Sequence, residues 1–235
     1  MKKLFLASWF AGAVSLLPDF VGENLAGKKV VFIPTAGRHE MSEEERSALD
    51  EINEIDKTAL QGLGLVVEDL EISDEPYDVI EKSISNADYL FVCGGSTFFL
   101  LQELKRKGVD KLISQHIKKG KLYMGTSAGS LLVQKDIVAD GVDDPIFGPD
   151  LNGDFSALGF IDFHLYVHYG SHFLGDDDEY IRKYYSELDF KAVSDKQVVT
   201  VDGDNIEVLT ATDGKADLLV RSIKEKFESA SYTAE

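Results

Sequence analysis

The stretch Gly125-Thr126-Ser127-Ala128-Gly129 has the residue types and spacing most suggestive of chemistry. It fits G-x-S-x-G, the pattern of a nucleophile elbow, in which a serine sits on a sharp turn between a strand and a helix. The flanking residues must be small for such a turn to close around its strained backbone. The pattern therefore predicts Ser127 as a nucleophile and the amide of Ala128, at a helix start, as an oxyanion donor. An ordinary glycine-rich turn before a helix is the alternative.

A histidine-rich segment supplies the candidate base that a serine nucleophile requires. His164, His168 and His172 are spaced four residues apart, which would suit zinc ligands on one helix face. The Phe, Tyr, Val and Gly residues around them favour a strand and a turn instead. Neither an H-E-x-x-H motif nor a cysteine ligand set accompanies them. We therefore predict a general base here, with His168 best placed, and no metal site.

Strand-like and helical segments alternate through the first half of the chain, and the elbow belongs to this series. The predicted strands are Leu4–Ser8, Lys29–Pro34, Leu65–Leu70, Tyr89–Cys93 and Leu122–Met124, and the predicted helices are Asp19–Leu25, Ser42–Gly62, Pro76–Ser85, Phe98–Lys107 and Val109–Lys119. This alternation predicts an α/β fold of three layers, a mostly parallel sheet with helices on both faces. Ligands of such sheets bind beyond the carboxyl ends of the strands, where the elbow and a second turn, Gly94–Thr97, both fall.

The pattern is less regular beyond Val133. A long loop is predicted over Ala139–Ala157, which is rich in Asp, Gly and Pro. The remaining predictions are strands at Phe160–Tyr169, Lys191–Ser194, Val198–Asp202 and Ile206–Leu209, a helix at Asp178–Leu188, a hairpin turn at Asp202–Asn205 and a frayed end at Lys224–Glu235. Because no repeat or linker interrupts the chain, we expect a single domain over residues 1–235.

Composition and charge argue against several classes of protein. The formal net charge of −18 over 235 residues argues against binding to nucleic acid or to an anionic membrane. The single cysteine, Cys93, forms no internal disulfide and suits a reducing compartment. The basic start and apolar run of residues 1–17 resemble a secretory signal, but we favour a first buried strand because the fold needs one there. No other stretch approaches the ~18 apolar residues of a membrane span.

Several segments together resemble the peptidase E family of serine dipeptidases. They are Val92–Leu104, Tyr123–Leu132, Asp143–Pro149, Leu158–Tyr169 and Lys191–Val201, in the family's order and spacing. The opening KKLFLAS and Gly27–Gly37 are similar to its first two strands. The resemblance implies a class I glutamine-amidotransferase-like (flavodoxin-like) fold. It also implies a cytoplasmic enzyme, monomer or homodimer, that acts on small peptides without metal or cofactor.

The resemblance assigns roles to individual residues. Ser127 is the implied nucleophile and His168 the implied base, while either Asp195 or Asp143 completes the triad; we favour Asp195, with Asp143 shaping the site. The glycine turn implies that the N–H of Gly95 joins that of Ala128 in an oxyanion hole, although a plain tight turn is equally compatible with this sequence. Substrate contacts are expected from Ser96, Thr97 and Tyr169.

One segment departs from the family. Its aspartyl dipeptidases carry an arginine before the late helix that pairs with the acidic side chain of the substrate. This chain has GDDDEYIR at Gly175–Arg182, with acids where the arginine is expected. We therefore expect peptidase activity with doubtful aspartyl specificity. The alternatives are an esterase or amidase, a cyanophycinase-like isopeptidase, and a catalytically silent binding module on the same scaffold.

Overall fold

Nine strands form two sheets in the computed structural model, which describes residues 1–39, 42–139, 148–171, 177–214 and 221. The strands are β1 (Lys3–Ala7), β2 (Lys29–Ile33), β3 (Val66–Asp69), β4 (Tyr89–Val92), β5 (Leu122–Thr126), β6 (His164–Tyr166), β7 (Phe190–Ala192), β8 (Gln197–Asp202) and β9 (Asn205–Thr210). The central sheet has the order β3-β2-β4-β5-β1-β8-β9. Its first five strands are parallel, while β8 runs antiparallel to β1 and to β9. The predicted mostly parallel α/β sheet is thus confirmed.

Eight helices accompany these strands in the described ranges. They are α1 (Phe10–Ala13), α2 (Leu17–Val21), α3 (Glu43–Gly62), α4 (Tyr77–Asn86), α5 (Thr97–Lys107), α6 (Val109–Lys118), α7 (Ala128–Leu131) and α8 (Asp177–Tyr184). The start of α3 is fixed by a capping box, in which Ser42 and Glu45 satisfy each other's backbone N–H groups. The prediction of a helix over Asp19–Leu25 was wrong in its limits, because Gly22 adopts a left-handed φ of 72° and ends α2.

Alternate residues of the central strands bury opposite faces of the sheet. On β1, Leu4 and Leu6 join a core with α4, α5, α6 and α7, whereas Phe5 and Ala7 join a second core with α1, α2 and Leu60 of α3. Side chains of successive strand residues point to opposite faces, so a sheet covered on both faces needs apolar residues at every position. The short apolar runs that predicted the strands have this composition.

The second sheet corrects the sequence prediction for the late part of the chain. The predicted strand Phe160–Tyr169 is wrong in extent, because only His164–Tyr166 is a strand and it pairs in parallel with Phe190–Ala192. The N–H groups of Phe160 and Ile161 instead donate to the carbonyl of Val133, at 2.8 and 3.2 Å. The residues just before β6 are therefore held by the loop that follows α7, and β6 and β7 stand apart from the central sheet.

The predictions for the residues after Asp177 agree better with the structure. Strands β8 and β9 form the predicted hairpin, with Gly203 of the turn at a φ of 62°. The predicted helix Asp178–Leu188 is shorter at its end, since α8 stops at Tyr184. The predicted frayed segment Lys224–Glu235 lies outside the described residues. Within the described ranges, every helix is too short or too polar to span a lipid bilayer.

Candidate active site

The elbow has the predicted strand–turn–helix order. β5 ends at Thr126, α7 begins at Ala128, and Ser127 between them has φ 49° and ψ −119°. A Cβ atom at Gly129 would overlap the carbonyl group of Val92 on the neighbouring strand, and one at Gly125 would lie 2.6 Å from the backbone of Gly129. The two glycines therefore let α7 pack directly on the sheet while Ser127 stays in a strained conformation.

The structure brings three of the predicted site residues together. His168 Nε2 lies 3.0 Å from Ser127 Oγ, and His168 Nδ1 lies 2.7 Å from Asp195 Oδ1. Because a carboxylate can only accept hydrogen bonds, this contact assigns the imidazole proton to Nδ1, and Nε2 is then the nitrogen that can accept the serine proton. The side chains of His168 and Asp195 are 19% and 12% exposed, which shields their pairing from water while leaving the site accessible.

His168 has an unusual backbone conformation of its own. It follows β6 on a tight turn with a φ of 61°, and its carbonyl accepts the N–H of Ser171 at 2.9 Å. A side chain with a left-handed φ is uncommon and is tolerated where surrounding contacts fix it. The second sheet supplies such contacts, since the N–H of Tyr169 donates to the carbonyl of Val193 beyond β7 at 3.1 Å.

Ser8 is a site residue that the sequence analysis missed. It is fully buried directly after β1, where its hydroxyl donates to Asp195 Oδ1 at 2.8 Å and accepts the N–H of His168 at 2.7 Å. Its carbonyl accepts the N–H of Ser127 at 3.0 Å. Its place follows from the strand pairing that the structure shows: Ala7 of β1 pairs with Thr126 of β5, so the residues following these two strands are neighbours.

The glycine turn lies against the nucleophile. A Cβ atom at Gly94 would lie 3.1 Å from the Cβ of Ser127, and Gly95, with a φ of 136°, packs against the backbone of Ala36 without room for a side chain. Within the described residues, the N–H groups of Gly95 and Ala128 have no hydrogen-bond partner. Ala128 is the first residue of α7, a position whose N–H has no intrahelical acceptor. The assignment of both groups to an oxyanion hole stays a prediction.

The other predicted residues have different surroundings. Ser96 is buried, and its hydroxyl caps α5 by accepting the N–H of Phe99 at 3.2 Å. Thr97 is 5% exposed, whereas Tyr169, next to the histidine, is 44% exposed. Asp143, the alternative acid, lies outside the described residues. Substrate contact by Ser96, Thr97 and Tyr169 stays a prediction, and exposure favours Tyr169 among them.

Asp177 at the start of α8 fixes the turn that carries the histidine. It is buried, it accepts the hydroxyl of Tyr166 at 2.6 Å, and it accepts the N–H of Gly170 at 2.8 Å. Because Gly170 follows His168 by two residues, these bonds place the acidic start of α8 beside the site. In the sequence analysis, Asp177 was treated only as one of several acids in the segment that departs from the family. A run of acids gives no local sign of which member is buried.

A buried carboxyl group supports the segment after Ser8. Asp56 of α3 accepts the N–H of Ala11 in α1 at 2.9 Å, and its burial raises its pKa from an ordinary value of 3.8 to about 8. On the other side of α1, the backbone of Gly12 packs against the carbonyl of Asp195 with no room for a Cβ atom. Helix α1 therefore fills the space between α3 and the acid of the site.

The two described histidines of the late segment, His164 and His168, lie at different places. His164 Nε2 lies 3.4 Å from Asp136 Oδ1, His168 lies with Ser127, and His172 is outside the described residues. Within the described part of the chain, no three His, Cys, Asp or Glu side chains form a group that could hold a metal ion.

Comparison with known proteins places the chain in a family. The model of peptidase family S51 matches residues 6–209. An uncharacterized peptidase of Listeria innocua is 36% identical over 222 residues, which cover 92% of this chain and 100% of that protein. Peptidase E of Salmonella arizonae is 34% identical over 69% of this chain and 63% of its own length. A crystal structure of a Listeria monocytogenes protein assigned to peptidase E superposes with a TM-score of 0.79, at 35% identity over 90% of this chain and 100% of that one.

Proposed function

The chain belongs to peptidase family S51 and is a serine-type peptidase, and we propose that it hydrolyses short peptides, as a dipeptidase does, through Ser127, His168 and Asp195. The observation that carries the proposal is the continuous hydrogen-bond chain of these side chains, with contacts of 3.0 and 2.7 Å. Each contact lies within the range expected of a nucleophile, its base and the group that orients the base.

The proposed reaction begins with proton transfer. His168 Nε2 takes the hydroxyl proton of Ser127 as Oγ attacks the scissile carbonyl carbon, and Asp195 stabilises the imidazolium that forms. The tetrahedral intermediate collapses to an acyl-enzyme when His168 returns the proton to the leaving amine. A water molecule then loses a proton to His168 and attacks the acyl carbon, which releases the carboxylic acid and restores the Ser127 hydroxyl.

The oxyanion of each tetrahedral intermediate has two proposed donors. They are the N–H group of Gly95, in the glycine turn whose Gly94 lies against Ser127, and the N–H group of Ala128 at the start of α7. Both are backbone groups held by close packing, so they need little reorganisation as the negative charge develops. Removal of one such donor from a serine hydrolase costs on the order of 10²–10³-fold in kcat.

The charge beside the site bears on the substrate. Asp177 accepts a hydrogen bond from the turn after His168. The next two residues of α8, Asp178 and Glu179, are exposed carboxylates. A protein of net charge −18 with acids at this place repels a substrate whose first residue is Asp or Glu. We therefore propose a preference for peptides with a neutral or basic first residue, whose free amino group is also attracted to this acidic helix start.

The test is a release assay over a panel of dipeptides that differ in the first residue, with wild type and Ser127→Ala side by side. We expect turnover of neutral or basic first residues that is lost in the variant. Serine-dependent cleavage of Asp-Xaa peptides would contradict the charge argument while keeping the peptidase mechanism. Serine-dependent turnover of esters, simple amides or isopeptides alone would favour the esterase, amidase or cyanophycinase-like alternative. No serine-dependent turnover at all would favour the binding module.

A further inference from the structure

One residue outside the proposed triad touches all three of its members. Ser8, fully buried after β1, contacts Ser127 through its carbonyl and both His168 and Asp195 through its hydroxyl. Building on the proposed triad, we propose that Ser8 is a positioning residue, which holds the imidazole of His168 in line between Ser127 and Asp195.

The hydroxyl of Ser8 uses both its donor and its acceptor capacity. Its single proton goes to Asp195 Oδ1 at 2.8 Å, and its oxygen accepts the N–H of His168 at 2.7 Å. Asp195 Oδ1 is the same atom that faces His168 Nδ1 at 2.7 Å, while Ser8 Oγ lies 3.4 Å from that nitrogen. Ser8 thus fixes the carboxylate oxygen that receives the imidazole proton, and with it the tautomer that leaves Nε2 facing Ser127.

The carbonyl of Ser8 restrains the nucleophile while its hydroxyl restrains the base. Ser127 and His168 have φ values of 49° and 61°, conformations that cost side-chain-bearing residues free energy and persist where neighbouring contacts enforce them. The N–H of Ser127 donates to the carbonyl of Ser8 at 3.0 Å, and the N–H of His168 donates to its hydroxyl at 2.7 Å. Ser8 therefore holds the strained backbones of Ser127 and His168 next to each other, although these two residues lie 41 positions apart in the chain.

The position of Ser8 is itself fixed from both sides. Strand β1 is paired with β5 on one side and β8 on the other, so the chain entering Ser8 is central in the sheet. The chain leaving Ser8 enters α1, where the N–H of Phe10 donates to Thr126 Oγ1 at 3.0 Å and that of Ala11 donates to Asp56. Because these partners belong to rigid elements, the Ser8 hydroxyl has little freedom to follow a displaced imidazole.

The test compares Ser8→Ala, Ser8→Thr and Ser130→Ala in the full-length protein. Ser8→Ala deletes the hydroxyl but keeps the carbonyl that holds Ser127. Because the lost hydrogen bond is made to a charged carboxylate, we expect Ser8→Ala to lower kcat about 10- to 100-fold and to change KM less than about threefold. Ser8→Thr, which restores the hydroxyl, should recover most of that loss. The low-field proton resonance of His168 Nδ1–H should weaken or shift in Ser8→Ala and return in Ser8→Thr.

Ser130→Ala is the matched control. Ser130 is as buried as Ser8, and its hydroxyl donates to the carbonyl of Ala7 at 2.7 Å, with neither His168 nor Asp195 among its described partners. It should change thermal stability about as much as Ser8→Ala does, yet keep kcat within about twofold of wild type. A common loss of kcat in both alanine variants, in proportion to their loss of stability, would overturn the positioning role.

The outcomes separate this inference from the proposed function. Full activity and an unchanged Nδ1–H resonance in Ser8→Ala, with Ser127→Ala inactive, would overturn the role of Ser8 and leave the triad intact. An active Ser127→Ala would instead overturn the proposed function on which the inference rests.

Discussion

The nucleophile and the base lie at the ends of two very different parts of the molecule. Ser127 follows a central strand of a seven-stranded sheet, and backbone packing of Gly125 and Gly129 forms its turn. His168 follows a three-residue strand of a separate two-stranded sheet, and side-chain hydrogen bonds hold its turn. Both residues have a positive φ, so two kinds of structure enforce the same kind of strain.

The comparison teaches what a strained site residue requires. Around Ser127, close approach of backbones needs glycine at fixed local positions, so its structural demand is written within five residues of sequence. Around His168, the fixing groups are Ser8, Asp177 and Asp195, which come from three distant parts of the chain. Substitutions on the two sides should therefore fail in different ways, by steric clash on one side and by lost orientation on the other.

The largest expected effect is on the base side, from Asp195→Asn. An amide at this position presents a donor as well as an acceptor to Nδ1, so it favours the imidazole tautomer that cannot accept the proton of Ser127. We expect kcat to fall about 10³–10⁴-fold with little change in KM or in thermal unfolding. Steady-state kinetics checks this, and a loss below about tenfold would contradict Asp195 as the orienting acid and point to Asp143 instead.

The next largest effect is on the nucleophile side, from Gly129→Ala. The added Cβ would overlap the carbonyl of Val92, so α7 has to move away from β4. We expect a loss of about 3–5 kcal/mol in the free energy of unfolding, measured by urea denaturation, together with loss of activity. Gly62→Ala is the control, because a Cβ there meets no atom within 4 Å. Equal stability of the two variants would refute the close-packing account of the elbow.

A smaller effect is expected from Asp177→Asn, which weakens the hydrogen bonds to Tyr166 and Gly170. The charged acceptor becomes neutral, so we expect about 1–2 kcal/mol lower unfolding free energy and several-fold lower kcat as the turn after His168 loosens. Asp178→Asn, at the exposed neighbouring position, should leave stability within about 0.5 kcal/mol of wild type. Similar stability losses in both variants would show that α8 responds to charge alone.

The last expected effect is a pH dependence of stability from Asp56, which acts on folding and not on the reacting groups. Its pKa is raised from 3.8 to about 8 by burial, so between these pH values the folded protein keeps a proton that the unfolded chain has lost. The free energy of unfolding should therefore fall as pH rises from about 4 to about 8, and then level off. Asp56→Asn should flatten this slope relative to wild type, whereas exposed Asp50→Asn on the same helix should not. Parallel curves for wild type and Asp56→Asn would contradict the buried neutral carboxyl.

The same contrast explains how far the sequence predicted the molecule. The strands from Lys3 to Thr126 were found to within about two residues, because a buried parallel sheet needs apolar runs and glycine turns that are visible locally. The strand over Phe160–Tyr169 was overestimated, since its composition suits a strand while its partners are fixed by the loop after α7. No local sequence pattern distinguishes a full-length strand from a segment such as Phe160–Tyr169, of which only three residues form a strand.

The candidate site was likewise predictable only in part. The neighbours of the predicted residues Ser127, His168 and Asp195 are now known, but their catalytic roles still rest on the proposal above. Ser8 was missed because its importance comes from contacts with residues 160 and 187 positions away in the chain. The pairing of strands β1 and β5 was the missing information, since it places Ser8 beside the nucleophile.

The most direct test of the central claim is mass-spectrometric mapping of the adduct formed with a fluorophosphonate. The claim is that Ser127 is a nucleophile activated by His168, so we expect a single adduct on the peptide that contains Ser127, formed far more slowly in His168→Ala and absent in Ser127→Ala. An adduct on another serine, or equal labelling rates in wild type and His168→Ala, would contradict it.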